Sequence, residues 1–223
     1  MLNIYLIGDS TVANCPAYEY PMAGWGQYFD QYFDQTKVSV INRAKGGASS
    51  NSFIEEGRLK QILNELKPND YALIQFGHND QKEYGSQTPE RYRKYLTYYL
   101  DQISKWQAHP ILVSPVHRRF FTSEGKVNNT LGEFPDVVRE LAQQQSIPFV
   151  DLSKRTKELY EAYGVEQSKQ LFTWLAPNEH ANYPEGIKDN THFSEKGARL
   201  VGELVCQEIK RLNLPLKAYI RSN

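Results

Sequence analysis

A chain of 223 residues, 40% hydrophobic and 23% charged, has the size and composition of one larger globular domain, since single cores keep growing up to about 250–300 residues. Lys plus Arg and Asp plus Glu both number 26, so no net field draws the chain to nucleic acid or to an acidic membrane surface. No apolar run approaches the roughly 18 residues that a membrane helix needs, which excludes a spanning segment.

The N-terminus, MLNIYLIGDS, enters a strand pattern at once. It lacks the basic start and small-residue cleavage site of an export signal, so a cytoplasmic location is expected. IYLIG (4–8) is a short apolar run ending at Gly, the form of a strand buried on both faces. Cys15 and Cys206 lie far apart, without metal-ligand spacing, which predicts free thiols. Trp25, Tyr28, Phe29, Tyr32 and Phe33 recur at helical spacing and predict an apolar helical stripe. VSVIN (38–42) repeats the strand form. Ser52 followed by Glu55 reads as a capping box for a helix that buries Leu59, Ile62, Leu63 and Leu66 and stops at Pro68.

YALIQF (71–76) is the third strand. Thr88-Pro89-Glu90 is an N-cap with Pro at the first helical position, leading into Tyr92, Tyr95, Leu96, Tyr99, Leu100, Ile103 and Trp106. ILVSP (111–115) and IPFVD (147–151) complete five strands, with a helix over about 131–145 between them. The segment 164–193 is rich in Pro, Asn, Tyr and Trp and shows no period; long irregular stretches in compact domains are commonly functional or disordered. A last helix begins at Ser194 and buries Ala198, Val201, Leu204, Val205, Ile209 and Leu212.

Five strands alternating with helical segments predict an α/β fold, a five-stranded parallel sheet with helices on both sides. No repeat or linker interrupts the series, so residues 1–223 are expected to form a single domain. Ligands of such sheets bind outside the carboxyl ends of the strands. Those ends carry Gly8-Asp9-Ser10-Thr11, then Gly46-Gly47, then Gly77-His78-Asn79-Asp80, and Asp189 to His192 lie just before the final helix.

A serine hydroxyl needs an adjacent base to become a nucleophile, and a His can serve if a carboxylate fixes its tautomer. Asp189 is close enough in sequence to reach Nδ1 of His192, leaving Nε2 free to face Ser10. The developing oxyanion needs preorganised donors; Gly46-Gly47 permits close backbone approach, and Asn79 projects an amide from a neighbouring strand end. Each block alone has a plain structural reading: a helix cap at Ser10 or Thr11, a turn at Gly46-Gly47, a loop tie at His78, an ion pair at Asp189 and His192. Together they supply nucleophile, base, orienting carboxylate and donors.

These four blocks resemble those of the SGNH hydrolases, the GDSL-type esterases, over nearly the whole chain. Gly8-Asp9-Ser10-Thr11, Gly24-Trp25-Gly26, Phe76-Gly77-His78-Asn79-Asp80 and Asp189-Asn190-Thr191-His192-Phe193 resemble more narrowly the rhamnogalacturonan acetylesterases. The resemblance implies a three-layer α/β/α, flavodoxin-like sandwich. It implies Ser10 as nucleophile, His192 and Asp189 as the rest of the triad, and an oxyanion hole from the Ser10 and Gly47 amides with the Asn79 side chain. It also implies no metal or organic cofactor.

The expected activity is removal of O-acetyl groups from a pectin-derived, rhamnogalacturonan oligosaccharide, an imported one for a cytoplasmic enzyme. Thr11-Val12 in place of the Leu of many lipase-like members favours the carbohydrate branch. Trp174, His180, Tyr183 and Arg118 are the expected substrate contacts, with His117 and Arg119 beside Arg118 as further basic candidates for a galacturonate carboxylate. The competing readings are a broad short-chain esterase, xylan acetylesterase or thioesterase of the same fold, and a non-catalytic carbohydrate-binding module.

Overall fold

The computed structural model describes residues 1–221. Among them the strands are β1 (Leu2–Gly8), β2 (Met22–Ala23), β3 (Val38–Asn42), β4 (Tyr71–Gln75), β5 (His109–Val113), β6 (Phe149–Val150), β7 (Phe172–Leu175) and β8 (Ile187–Ser194). The α-helices are α1 (Ser50–Glu55), α2 (Arg58–Glu65), α3 (Pro89–Ser104), α4 (Phe134–Gln145), α5 (Leu152–Gln167) and α6 (Glu195–Arg211).

Five strands form one parallel sheet in the order β3-β1-β4-β5-β6. Alternate residues of β1 enter opposite halves of the interior, which is why its sequence reads as a continuous apolar run. Ile4 and Leu6 pack with Trp25, Phe29, Val201 and Val205. Tyr5 and Ile7 pack with Phe53, Tyr92, Tyr99 and Ile74. Helices therefore cover both faces, as the strand pattern requires. The connection out of β1 runs to one side, to β3, and the next crosses to the other, to β4. Their carboxyl ends diverge there and open a crevice.

A second, antiparallel sheet, β2-β8-β7, stands beside that crevice. It occupies much of the 164–193 segment, whose lack of period stems from a register shift between Phe172 and Trp174 and from short, half-exposed strands. Helix α6 anchors the end of β8. Ser194 caps this helix, its side chain accepting from the Gly197 N–H at 3.2 Å. Gly197 lies so close to the chain before β7 that an added Cβ would sit 1.8 Å from the Leu171 carbonyl oxygen.

Three sequence expectations are corrected. The stripe from Trp25 winds as a 3-10 helix over Trp25–Tyr32, with Phe33 already extended; Trp25, Phe29 and Phe33 are still buried, in the core cluster with Val201 and Val205. The capping box is one turn earlier than expected: Ser49 and Ser52 exchange bonds, Ser49 N donating to Ser52 Oγ at 2.9 Å and Ser52 N to Ser49 Oγ at 3.3 Å. Gly57, at φ 72°, then breaks the predicted single helix into α1 and α2. Helix α5 was not expected, because its buried face carries the polar Ser153 and Thr156 alongside Leu152 and Tyr160. Among the described residues no helix is long and apolar enough to cross a membrane.

Candidate active site

Strand β1 ends at Gly8, where an added Cβ would lie 2.6 Å from the Gln75 carbonyl oxygen, so the chain turns sharply against β4 and lifts Ser10 into the crevice. Asp9, beneath it, is fully buried. Its carboxylate accepts from Thr11 N at 2.9 Å and Thr11 Oγ1 at 2.7 Å, and His78 Nδ1 lies 3.2 Å from its other oxygen. Burial alone would raise the Asp9 carboxyl, but His78 and the Thr11 donors outweigh it and hold it below the usual carboxylate range. An ionised Asp9 requires His78 Nδ1 to carry the proton. The chain of donors continues inward, from Trp25 Nε1 to Gln75 Oε1 at 2.9 Å and from Gln75 Nε2 to Thr11 Oγ1 at 2.7 Å.

Ser10 Oγ lies 2.9 Å from His192 Nε2, across 182 residues of sequence. On the opposite edge of the imidazole, Nδ1 is 2.7 Å from Asp189 Oδ2. Residues three apart on a flat strand point to opposite faces. Here the other carboxylate oxygen of Asp189 accepts from the N–H groups of Thr191 at 2.6 Å and His192 at 2.8 Å, and this side-chain turn curls the strand until carboxylate and ring meet. Burial pushes Asp189 up, yet the His192 contact and the two N–H donors leave it net lowered, hence ionised. Burial likewise opposes a charge on His192, but Asp189, with Asp9 and Glu19 further off, raises its pKa above the ordinary histidine value. Nδ1 therefore donates to Asp189, and the Nε2 lone pair faces the serine hydroxyl.

The loops after β3 and β4 are bound to each other beside this pair. Asn79 Nδ2 donates to the Ala48 carbonyl at 3.0 Å, and its Oδ1 accepts from Tyr84 Oη at 3.2 Å, which orients the amide and leaves its second N–H free. Gly47 adopts φ 78° in the turn before α1, and an added Cβ on Gly46 would lie 3.9 Å from Ser10 Cβ. Among the described residues the N–H groups of Ser10 and Gly47 have no acceptor within the protein. Two backbone donors and one amide donor thus stand unspent near a hydroxyl backed by a base and a carboxylate, an arrangement that can carry acyl transfer.

The crevice is an open cleft of about 600 Å³. Its lining includes Cys15, Tyr18 and Glu19, from the segment after β1, and Gly47, Asn79 and Lys82, from the loops after β3 and β4. Of the expected substrate contacts, Tyr183 lines it, its hydroxyl anchored on the Glu19 carbonyl at 2.7 Å. The other three lie outside that lining. His180 packs on Tyr20 and Tyr183 and accepts from the Asn182 N–H. Trp174 donates to Asn190 Oδ1 at 3.0 Å and is covered by the cations of Arg119 and Lys169, at 4.9 and 4.8 Å from its ring. Arg118 is spent on Thr130 and Gln81 and on the His78 carbonyl, tying loops together. His117 is buried, and burial together with Lys157 pushes it down to about 4, so it is neutral and turned inward. Cys15, Glu19, Lys82 and Tyr84 were not singled out from sequence; their signal was only their place in the segments following the first and third blocks. Burial pushes the Cys15 thiol up to about 11, which keeps it protonated.

With this fold and this site, the chain belongs to the GDSL-like lipase/acylhydrolase family, which matches residues 6–200, and it is accordingly a carboxylic ester hydrolase. It is 52% identical over 221 residues to rhamnogalacturonan acetylesterase RhgT of Bacillus subtilis (strain 168), covering 99% of this chain and 95% of that protein. It is 35% identical over 221 residues to the probable rhamnogalacturonan acetylesterase YesY of the same strain, covering 96% of this chain and 95% of that one. The crystal structure of Bacillus subtilis YxiM superposes with a TM-score of 0.83 at 28% identity, over 96% of this chain and 57% of that one. A catalytic mutant of the acetylxylan esterase Axe2 from Geobacillus stearothermophilus, with a TM-score of 0.65 at 15% identity over 100% and 97% of the two chains, shares the fold.

Proposed function

We propose that the protein is a serine esterase that removes O-acetyl groups from rhamnogalacturonan oligosaccharides derived from pectin. The observation that carries the chemistry is the 2.9 Å contact of Ser10 Oγ with His192 Nε2, backed by Asp189 at 2.7 Å. The substrate class rests on the 52% identity to an acetylesterase of that polymer over nearly the full length of both chains.

Ser10 Oγ attacks the acetyl carbonyl carbon while its proton passes to Nε2 of His192, and Asp189 stabilises the imidazolium so formed. The carbonyl π pair moves onto oxygen, which the N–H groups of Ser10 and Gly47 and the free N–H of Asn79 receive. Collapse of the tetrahedral species breaks the bond to the sugar oxygen, which takes the proton from His192. A water molecule then gives a proton to His192 and attacks the acetyl-enzyme; acetate leaves and Ser10 regains its proton.

The test is acetate release from acetylated rhamnogalacturonan oligosaccharides by the purified protein, beside acetylated xylan and acyl thioesters, with Ser10→Ala as control. The expected result is preferential release from the rhamnogalacturonan fragments and a loss of roughly 10⁴-fold or more in kcat for the variant. Equal release from xylan points to the broad acetylesterase. Undiminished turnover by Ser10→Ala removes the serine mechanism, and absence of all turnover leaves a binding module.

A further inference from the structure

Removing an acetyl group in itself requires no cation in the substrate cleft: the ester and the hydroxyl it releases are both neutral. Yet the cleft holds one. Lys82 lines it together with Asn79 and, apart from His192, is the one basic side chain among the described residues that does so. It is also unspent. Lys45, at the turn before α1, is paired with Glu56 at 2.7 Å, and Arg118 is consumed by loop ties. Lys82 Nζ makes neither an ion pair nor a hydrogen bond among the described residues, and rests 5.6 Å above the ring of Tyr84.

The loop that carries it is not free to wander. Lys82 N donates to the Asn79 carbonyl at 3.1 Å and Gly85 N to the Lys82 carbonyl at 2.8 Å. Gly85 sits so tightly on this turn that an added Cβ would lie 2.3 Å from the Asn79 carbonyl oxygen. Tyr84, beneath the ammonium, is the residue whose hydroxyl orients the Asn79 amide. The backbone from which the cation reaches is therefore fixed relative to the oxyanion donors, on a turn rooted in Asn79 itself.

The remaining charges in the cleft point the same way. Glu19 and Asp189 line it, and both repel an anionic sugar. A substrate of alternating neutral and uronic sugars needs a positive group to offset them. We propose that Lys82 Nζ receives the carboxylate of a uronate residue, either the acetylated sugar or its neighbour, and so selects acidic over neutral acetylated glycans. This rests on the pectin reading above and names the group that enforces it.

The experiment compares wild type, Lys82→Gln and Lys82→Arg on two synthetic substrates of equal length and acetyl position, an acetylated galacturonide disaccharide and its neutral galactoside analogue. The readout is the KM for the galacturonide divided by that for the galactoside, at low and high salt. An exposed cation paired with a carboxylate changes binding modestly, so the expected rise in this ratio for Lys82→Gln is roughly three- to tenfold, with recovery in Lys82→Arg. High salt should erase the difference between wild type and Lys82→Gln. An unchanged ratio overturns the assignment, and so does a kcat loss shared by both substrates, which would mark Lys82 as support for Tyr84 and Asn79. A wild type that deacetylates the galactoside but not the galacturonide instead overturns the pectin reading, and this assignment with it.

Discussion

Ser50 gives both its donors to the Asp80 carboxylate, Oγ at 2.5 Å and N at 3.1 Å to one oxygen, with N also 3.3 Å from the other. This links the loop after β4 to the first turn of α1, and so links the turn bearing Asn79 to the turn bearing Gly47. Asp9 with His78 and Asn79 with Ala48 make parallel ties, so that three strand ends are laced into one platform.

Burial pushes Asp80 up to about 6, because the Ser50 donors only partly replace lost water. A carboxyl raised in the folded state stabilises it fully below the unfolded pKa near 3.8 and loses that contribution as pH rises through about 6. The difference amounts to roughly 3 kcal/mol. Unfolding free energies from urea titrations at several pH values should show wild type losing about this much relative to Asp80→Asn between those limits. Parallel pH curves for the two proteins would show that Asp80 is ionised at no extra cost.

His192 must be neutral to accept the Ser10 proton, so kcat/KM should climb with pH. Asp189 raises the imidazole pKa, which puts the midpoint of the climb above 6.5. Asp189→Asn should move the midpoint downward and lower kcat by roughly 10⁴-fold, since the tautomer is no longer enforced. Rate profiles with p-nitrophenyl acetate measure both; an unmoved midpoint in the variant would detach Asp189 from the ring.

Asn79→Ala should lower kcat by roughly 10²–10³-fold if its amide meets the oxyanion. Tyr84→Phe tests the same donor from behind, since it removes only the bond to Asn79 Oδ1. About three- to tenfold in kcat, with KM little changed, is expected for a net hydrogen bond of ordinary strength. A Tyr84→Phe effect confined to KM would assign the tyrosine to sugar binding.

Much of the scaffold was legible because its strands are buried on both faces. VSVIN matches β3 residue for residue, and Thr88-Pro89 marks the start of α3. The three residues that hydrogen bonds bring together, Ser10, His192 and Asp189, were readable from their chemistry and their place at strand ends or before the last helix. What local pattern cannot convey is direction. Trp174, His180 and Arg118 are residue types suited to sugars, but their partners, Asn190, Tyr20 and Thr130, are remote in sequence or in other loops. Helix α5 hid for a related reason: Ser153 and Thr156 are buried only because Pro115 and Leu152 supply carbonyl acceptors. Lys82 was passed over because a surface lysine gains meaning only from the cleft it borders.

On the proposed mechanism, the placement of His192 on β8 makes hydrolysis depend on a segment 182 residues away from Ser10 in sequence. Its strand is paired on one edge with Ala23 and on the other with Phe172. A chain that ends before β8 holds Ser10 without the imidazole that the proposed mechanism requires. On the proposed mechanism, ester cleavage thus reports the docking of the strand that bears His192 against the head of the chain.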